Sequence, residues 1–179
     1  MRAFLAIPIP AALQPLLCAA GENFADLRRA PASNLHLTIK FLGEIRKPVD
    51  ISEAVEPVCA RHAPFEVALG RLGCFPSPRK ASVVWVGLTQ GDLQAGALVQ
   101  GIERALEPFG IPDDGRPWRG HVTLGRYAKP RKLREKDLDA DAAFGTFRAE
   151  SVVLFSSELR PDGPVYTPIH TLPLGGVSD

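Results

Sequence analysis

At 179 residues and 19.3 kDa, with 45% hydrophobic and 23% charged residues, the chain can bury a core unaided and is too apolar for a disordered or fibrous protein. Twenty-one Lys and Arg against twenty Asp and Glu leave a net charge of +1, which excludes a bulk electrostatic grip on long nucleic acid but not a local basic patch. Cys18, Cys59 and Cys74 are odd in number and lack C-x-x-C spacing, so neither a disulfide framework nor a zinc knuckle is expected, and a reducing cytoplasm fits. The apolar start from Ala3 to Ala20 resembles a signal peptide only superficially. Pro8, Pro10 and Pro15 interrupt it, and no run of about 20 apolar residues occurs, so no membrane span is expected.

In chain order, Phe4-Leu5-Ala6-Ile7 reads as a short strand ended by Pro8 and Pro10. Leu13, Leu16, Leu17, Ala20, Phe24 and Leu27 predict a helix over 11–29, and a strand follows at 34–42. Ile51, Val55, Val58 and Cys59 mark a second helix, Phe65, Val67 and Leu69 alternate as a strand, and the Gly and Pro of 73–78 read as a loop. Val83 to Val86 is a strand, 93–109 a helix and 120–126 a strand. A short helix over 134–142, a strand over 147–155 and an extended segment over 165–174 complete the chain. Strand, helix, strand, helix, strand thus occurs twice at an offset of roughly eighty residues, which points to a duplicated half-domain.

The third element of each half carries the same pattern, His36-Leu37-Thr38-Ile39 and His121-Val122-Thr123-Leu124. Residues two apart share a strand face, so His36 projects with Thr38 and His121 with Thr123, while Leu35, Leu37, Ile39 and Phe41 face the other way. If the halves pack about a pseudo-twofold axis, two imidazoles and two hydroxyls meet in one cleft. Two histidines titrating near neutrality can act as general base and general acid in one step, and two hydroxyls can hold the oxygens of a phosphoryl group. His62 and His170 have no Thr two residues on and read as surface or incidental.

The chain resembles the 2H phosphoesterases, and among them the RNA 2′,3′-cyclic phosphodiesterases, also called 2′-5′ RNA ligases. The likeness rests on Met1 to Ile7, Asn34 to Gly43, Gly73 to Arg79, Arg116 to Arg126, Leu154 to Leu159, and Tyr166. Gly120 stands where the family usually has Pro, and Gly125 where Ala is common. The resemblance implies an α+β fold of the LigT-like type: two pseudosymmetric lobes, each a mostly antiparallel sheet flanked by helices, around a central cleft, with residues 1–179 forming one domain. It implies a monomeric, cofactor-free and metal-independent enzyme that opens RNA or nucleotide 2′,3′-cyclic phosphates to 2′-phosphates. His121 would deprotonate water and His36 protonate the leaving 3′ oxygen, or the reverse, with Thr38 and Thr123 on the phosphoryl oxygens. With an RNA 5′-hydroxyl replacing water, the same site would make a 2′-5′ bond.

Eight basic residues lie between Arg116 and Lys136 against Glu135 alone, a patch for RNA phosphates or a solvated face. Arg119 shares the strand parity of His121, whereas Arg126, which matches the family's arginine after the second motif, falls on the opposite face. Phe41, Trp118 and Tyr166 are candidates for stacking on bases, with core packing the alternative for Phe41. Competing readings are a metal-dependent phosphohydrolase, for which neither motif has a carboxylate at ligand spacing, a non-catalytic RNA-end or nucleotide-binding module, and a cyclic phosphodiesterase acting on small nucleotides.

Overall fold

The structure, a computed structural model, describes residues 1–113 and 115–176. Strand β1 (Arg2–Pro8) ends where the sequence expects, and helix α1 follows at Gln14–Glu22. That helix is shorter than the predicted 11–29. Pro15 sits in its first turn, where a missing N–H breaks no bond, and Asn23 closes it onto the Ala20 and Gly21 carbonyls. Phe24 and Leu27 are buried from a turn rather than from the helix, and Asp26 between them has a φ of 62°, outside the helical region. The chain then enters a two-residue strand, β2 (Arg28–Arg29).

A 3-10 turn at Ala32–Asn34 delays strand β3 to His36–Glu44. Helix α2 (Pro48–Arg61) buries Ile51, Val55 and Cys59 at one position per turn, with Asp50 in its first turn and Arg61 in its last, where each suits the helix dipole. Strand β4 (Phe65–Phe75) runs on through Gly73 and Cys74, which composition alone assigns to a loop. Gly73 serves a contact rather than a turn: a Cβ there would lie 2.2 Å from the ring of Trp85 on β5 (Ala81–Gln90). Helix α3 (Asp92–Leu106) starts at Gly91, whose φ of 93° and closeness to the Glu66 carbonyl require glycine; Phe109 lies beyond it in a 3-10 turn.

Strand β6 (His121–Arg131) is longer than expected, and the predicted helix over 134–142 is a single 3-10 turn at Glu135–Asp137, held by Arg134 forked onto the Asp137 carboxylate. The segment read as one strand over 147–155 is two, β7 (Ala143–Ala149) and β8 (Ser151–Arg160), before the return strand β9 (Gly163–Pro173). The second half therefore lacks a second helix, and the described residues hold three α-helices.

All nine strands join one antiparallel sheet in the order β7-β4-β5-β6-β3-β1-β8-β9, with β2 on β6. The order is symmetric about the β6/β3 seam, β5 beside β6 answering β1 beside β3. Outer strands are exchanged between the halves, since β4 follows β3 in sequence but pairs with β5, while β8 pairs with β1. Glu150 alone separates β7, at one end of this order, from β8, near the other, so the sheet curls back on itself. Helix α2 packs on α3, β8 and β9, α3 also on β3 and β5, and α1 on β6. Leu37, Val84, Val86, Leu98, Ile102 and Val122 form part of the core beneath. This is the expected α+β architecture, with the cleft on the face of the sheet away from the helices.

No helix among the described residues is long and apolar enough to cross a membrane. The three cysteines are free; burial, with help from Glu56, pushes the Cys59 thiol up to about 11, as suits a core residue. Gly73→Ala forces a methyl into the Trp85 ring and is expected to destabilise the fold by about 1–3 kcal/mol, measured as a lower urea midpoint at unchanged slope.

Candidate active site

The two His-x-Thr segments meet at the seam. Leu37 pairs with Val122 antiparallel, both pointing into the core, so His36, Thr38, His121 and Thr123 share the opposite face, His36 next to Thr123 and Thr38 next to His121. Each motif is followed by a β-bulge at the same place. On β3, Ala6 faces Thr38 and Leu5 faces Lys40, leaving Ile39 extra; on β6, Trp85 faces Thr123 and Val84 faces Gly125, leaving Leu124 extra. The accessibility pattern is accordingly identical over His36–Phe41 and His121–Arg126, half-buried and buried residues alternating until the bulge and ending on an exposed residue.

The bulges correct the strand parity read from sequence. Phe41 stands opposite Phe4 and Arg126 opposite Val83, and both project on the histidine face instead of away from it. Phe41 is 58% exposed there, with its ring 6.3 Å from that of Phe4. The bulge also turns Lys40 inward, where its Nζ lies 3.0 Å from Glu103 Oε1 on α3. At the equivalent position of the other half is Gly125; a Cβ there would lie 2.6 Å from the Arg28 carbonyl of β2. The alanine common in the family does not fit that approach.

Both imidazoles are oriented by the same backbone device. His36 Nδ1 lies 2.6 Å from the Asn34 carbonyl and His121 Nδ1 lies 2.9 Å from the Arg119 carbonyl, each two residues upstream. A carbonyl only accepts, so Nδ1 carries the hydrogen in both rings and Nε2 is left as the working nitrogen. Burial lowers both histidines below the ordinary value of 6.5, more than these hydrogen bonds raise them. The charge of His121 further lowers His36, and those of Arg126 and Arg119 further lower His121. The two rings are thus electrostatically coupled.

Aromatic rings wall the site on both sides. His36 packs against Phe4 at 4.9 Å and edge-on to Tyr166 at 5.3 Å, while His121 packs edge-on to Phe75 at 5.0 Å and tilted to Trp85 at 6.1 Å. Phe155 stacks on Phe4 at 5.3 Å. Sequence reasoning does not single out Phe4, Phe75, Trp85 or Phe155 for the site. Alternation groups Phe4 with Ala6 and Trp85 with Val83, but only strand pairing reveals which group faces the histidines. The Trp85 indole N–H in this wall is buried without a partner among the described residues.

The remaining candidates divide. Arg119 precedes β6 instead of sharing its ladder and is exposed, close enough for its charge to act on His121. Trp118 is half-buried and donates its indole N–H to the Thr38 carbonyl at 3.2 Å, tying the approach to one motif to the backbone of the other, a use that differs from free stacking on a base. A side chain at Gly120 would strike the Trp118 ring at 2.7 Å. The basic run is less uniform than its sequence: among the described residues Arg131 pairs with Asp26 and Arg134 with Asp137, leaving six exposed cations, Arg116, Arg119, Arg126, Lys129, Lys132 and Lys136. His62 is not incidental; its ring nitrogens lie 3.0 Å from the Ala63 and Gln94 carbonyls, joining the end of α2 to α3.

Residues 11–161 match the 2′-5′ RNA ligase superfamily. A Thermus thermophilus protein named RNA 2′,3′-cyclic phosphodiesterase is 32% identical, covering 98% of this chain and 91% of the relative. One of the same name from Methanothermobacter thermautotrophicus is 31% identical, over 93% and 95%. Among solved structures, a Thermus thermophilus protein superposes with a TM-score of 0.80 at 30% identity, covering 98% of this chain and 99% of that one. E. coli LigT complexed with 3′-AMP gives 0.77 at 25% identity over 97% of each chain. Two bulged His-x-Thr strands paired at the centre of a curled sheet, in a chain matched along nearly its whole length, make this protein a member of the 2′-5′ RNA ligase superfamily.

Proposed function

We propose that the protein is a metal-independent RNA 2′,3′-cyclic phosphodiesterase that leaves a 2′-phosphate, working as one internally duplicated monomeric unit over residues 1–179 in the cytoplasm. The observation that carries this reading is the pair of imidazoles, each with Nδ1 on a backbone carbonyl and Nε2 without a hydrogen-bond partner among the described residues, flanked by two threonines on one face. Acid and base are then both at hand without a metal-bound water. The relatives' shared name supplies the substrate, RNA ending in a cyclic phosphate.

In this mechanism His121 Nε2 takes a proton from water as the water oxygen bonds to phosphorus. The P–O3′ bond breaks, and the departing 3′ oxygen receives the proton carried by His36 Nε2. The products are a 2′-phosphate and a free 3′-hydroxyl. Arg126 and Arg119 favour the neutral, basic form of His121, whereas a phosphate anion in the cleft favours the protonated, acidic form of His36. Thr38 and Thr123 donate to the non-bridging oxygens, whose charge grows as water adds. Arg126 balances that charge, and Phe41 with Tyr166 receives the nucleoside. With an RNA 5′-hydroxyl in place of the attacking water, the oxygen of that hydroxyl bonds to phosphorus as the same P–O3′ bond breaks, giving a 2′-5′ bond and a free 3′-hydroxyl, a reaction with which bulk water competes.

With EDTA present, RNA ending in a 2′,3′-cyclic phosphate is expected to yield only the 2′-phosphate isomer, and His36→Ala or His121→Ala is expected to reduce kcat by about 10²–10⁴. Chelator-sensitive turnover, or a 3′-phosphate product, contradicts the proposal. Because both imidazoles are depressed in the free protein, kcat/KM is expected to peak below pH 6.5 and fall on the alkaline side as the acid loses its proton. Arg126→Gln removes a charge that lowers His121, so the limb belonging to His121 should move to higher pH; a profile lowered in height but unmoved refutes the effect of Arg126 on His121.

A further inference from the structure

Strand β1 carries the cleft face past Phe4 to Arg2. Arg2, Phe4, Ala6 and Pro8 alternate with the core residues Ala3, Leu5 and Ile7. The register continues this face sideways: Ala3 pairs with Ser156, which sets Arg2 beside Ser157, and Ser157 pairs with Tyr166. Arg2, Ser157 and Tyr166 therefore form one row across three strands, next to the row in which Phe4 stacks on Phe155. Arg2 is exposed, Ser157 and Tyr166 are half-buried, and none of their side-chain donors has a protein acceptor among the described residues. The carboxylate nearest in register, Glu44 across from Arg2 on β3, pairs with the Met1 ammonium at 3.0 Å.

The row opens toward the catalytic pairs. Tyr166 lies edge-on to His36, and the charges of both Arg126 and Arg2 act on its hydroxyl, so this ring bridges the two cationic positions. From Ala6, which faces Thr38, to Arg2 is four residues of strand, about 13 Å, and an arginine side chain can span much of that. Between them lie the exposed ring of Phe41 and the half-buried ring of Phe155, both packed on the buried ring of Phe4, a platform for a base. A guanidinium and two hydroxyls without protein acceptors, one nucleoside's reach from the threonines, have the donor chemistry of a phosphate seat.

We infer that Arg2, Ser157 and Tyr166 form a second anion seat that takes the phosphate on the 5′ side of the terminal nucleoside. This rests on the proposed reading of the His-x-Thr pairs and deepens it. The substrate class is a nucleoside 2′,3′-cyclic phosphate with a 5′-phosphate, as at the end of an RNA chain, in preference to a bare nucleoside cyclic phosphate. The seat acts on binding and not on the reacting bonds, so its effect falls on KM.

The test compares three substrates: adenosine 2′,3′-cyclic phosphate, the same compound with a 5′-phosphate, and the dinucleotide ApA ending in a 2′,3′-cyclic phosphate. The wild type is expected to favour the phosphorylated substrates in kcat/KM by on the order of tenfold, through KM. Arg2→Gln should bring that ratio close to one and flatten the log–log salt dependence of dinucleotide KM by about one unit. Ser157→Ala should shift the ratio in the same direction by less. Preference for both phosphorylated substrates assigns the seat to the phosphate group alone; preference confined to the dinucleotide assigns it to the RNA diester. A wild-type ratio near one, or a ratio that survives Arg2→Gln, overturns the seat while leaving the catalytic reading intact. Failure to turn over any of the three overturns the catalytic reading and the seat with it.

Discussion

The antiparallel contact of Leu37 with Val122 is the constraint on which the site depends. Because both side chains enter the core, the residues flanking them must face the other way, and those residues are the two histidines and two threonines. A register slip of one residue at this seam would send Leu37 or Val122 to the cleft and a histidine into the apolar interior. Burial of Leu37 and Val122 between the sheet and its helices thus fixes the catalytic face and the fold together. The bulges that follow each motif act on the same face. Each adds a second inward residue and thereby returns Phe41 and Arg126 to the cleft, one apolar and one cationic at equivalent positions of the two halves.

The electrostatics follow from this placement. Two imidazoles on one face, backed by aromatic rings, lose hydration and repel one another's charge, and both effects favour the neutral ring. Hydrogen bonds from Nδ1 to the carbonyls of Asn34 and Arg119 oppose this only in part and set one tautomer in both halves. The halves diverge in what surrounds the rings: His121 has arginines nearby, and His36 has Phe4 and Tyr166. A duplicated frame therefore carries a polarised site, suited to an acid and a base that differ in role.

The His-x-Thr pairs were legible in the sequence because strand alternation is local: two residues apart means one face, whatever the partner strand. The core positions Ile51, Val55 and Cys59 were legible for the same reason, through helical spacing, whereas Leu93 keeps that spacing on α3 and is exposed. Composition misled where glycine served contact instead of conformation. Gly73 reads as a loop residue, yet it belongs to a strand because the Trp85 ring lies against it. Helix α1 was overextended because Phe24 and Leu27 keep helical spacing while being buried from a turn. The exchange of β4 and β8 between the halves has no local signature, since it is decided by which strand edges remain to be paired.

By itself the sequence determined the inventory: two imidazoles and two hydroxyls in matched strands, a near-neutral chain with one basic segment, and a resemblance that names the chemistry. Local periodicity and side-chain type suffice for that. Tertiary structure alone decided that Arg126 and Phe41 enter the cleft, that Trp118 ties one motif to the other, and that Arg2 and Tyr166 share a row 164 residues apart in the chain. Each depends on a bulge or a register between strands distant in sequence. A bulge inverts facing without changing residue type, and a register is set by how two apolar faces pack, so neither is written in the spacing of a single strand.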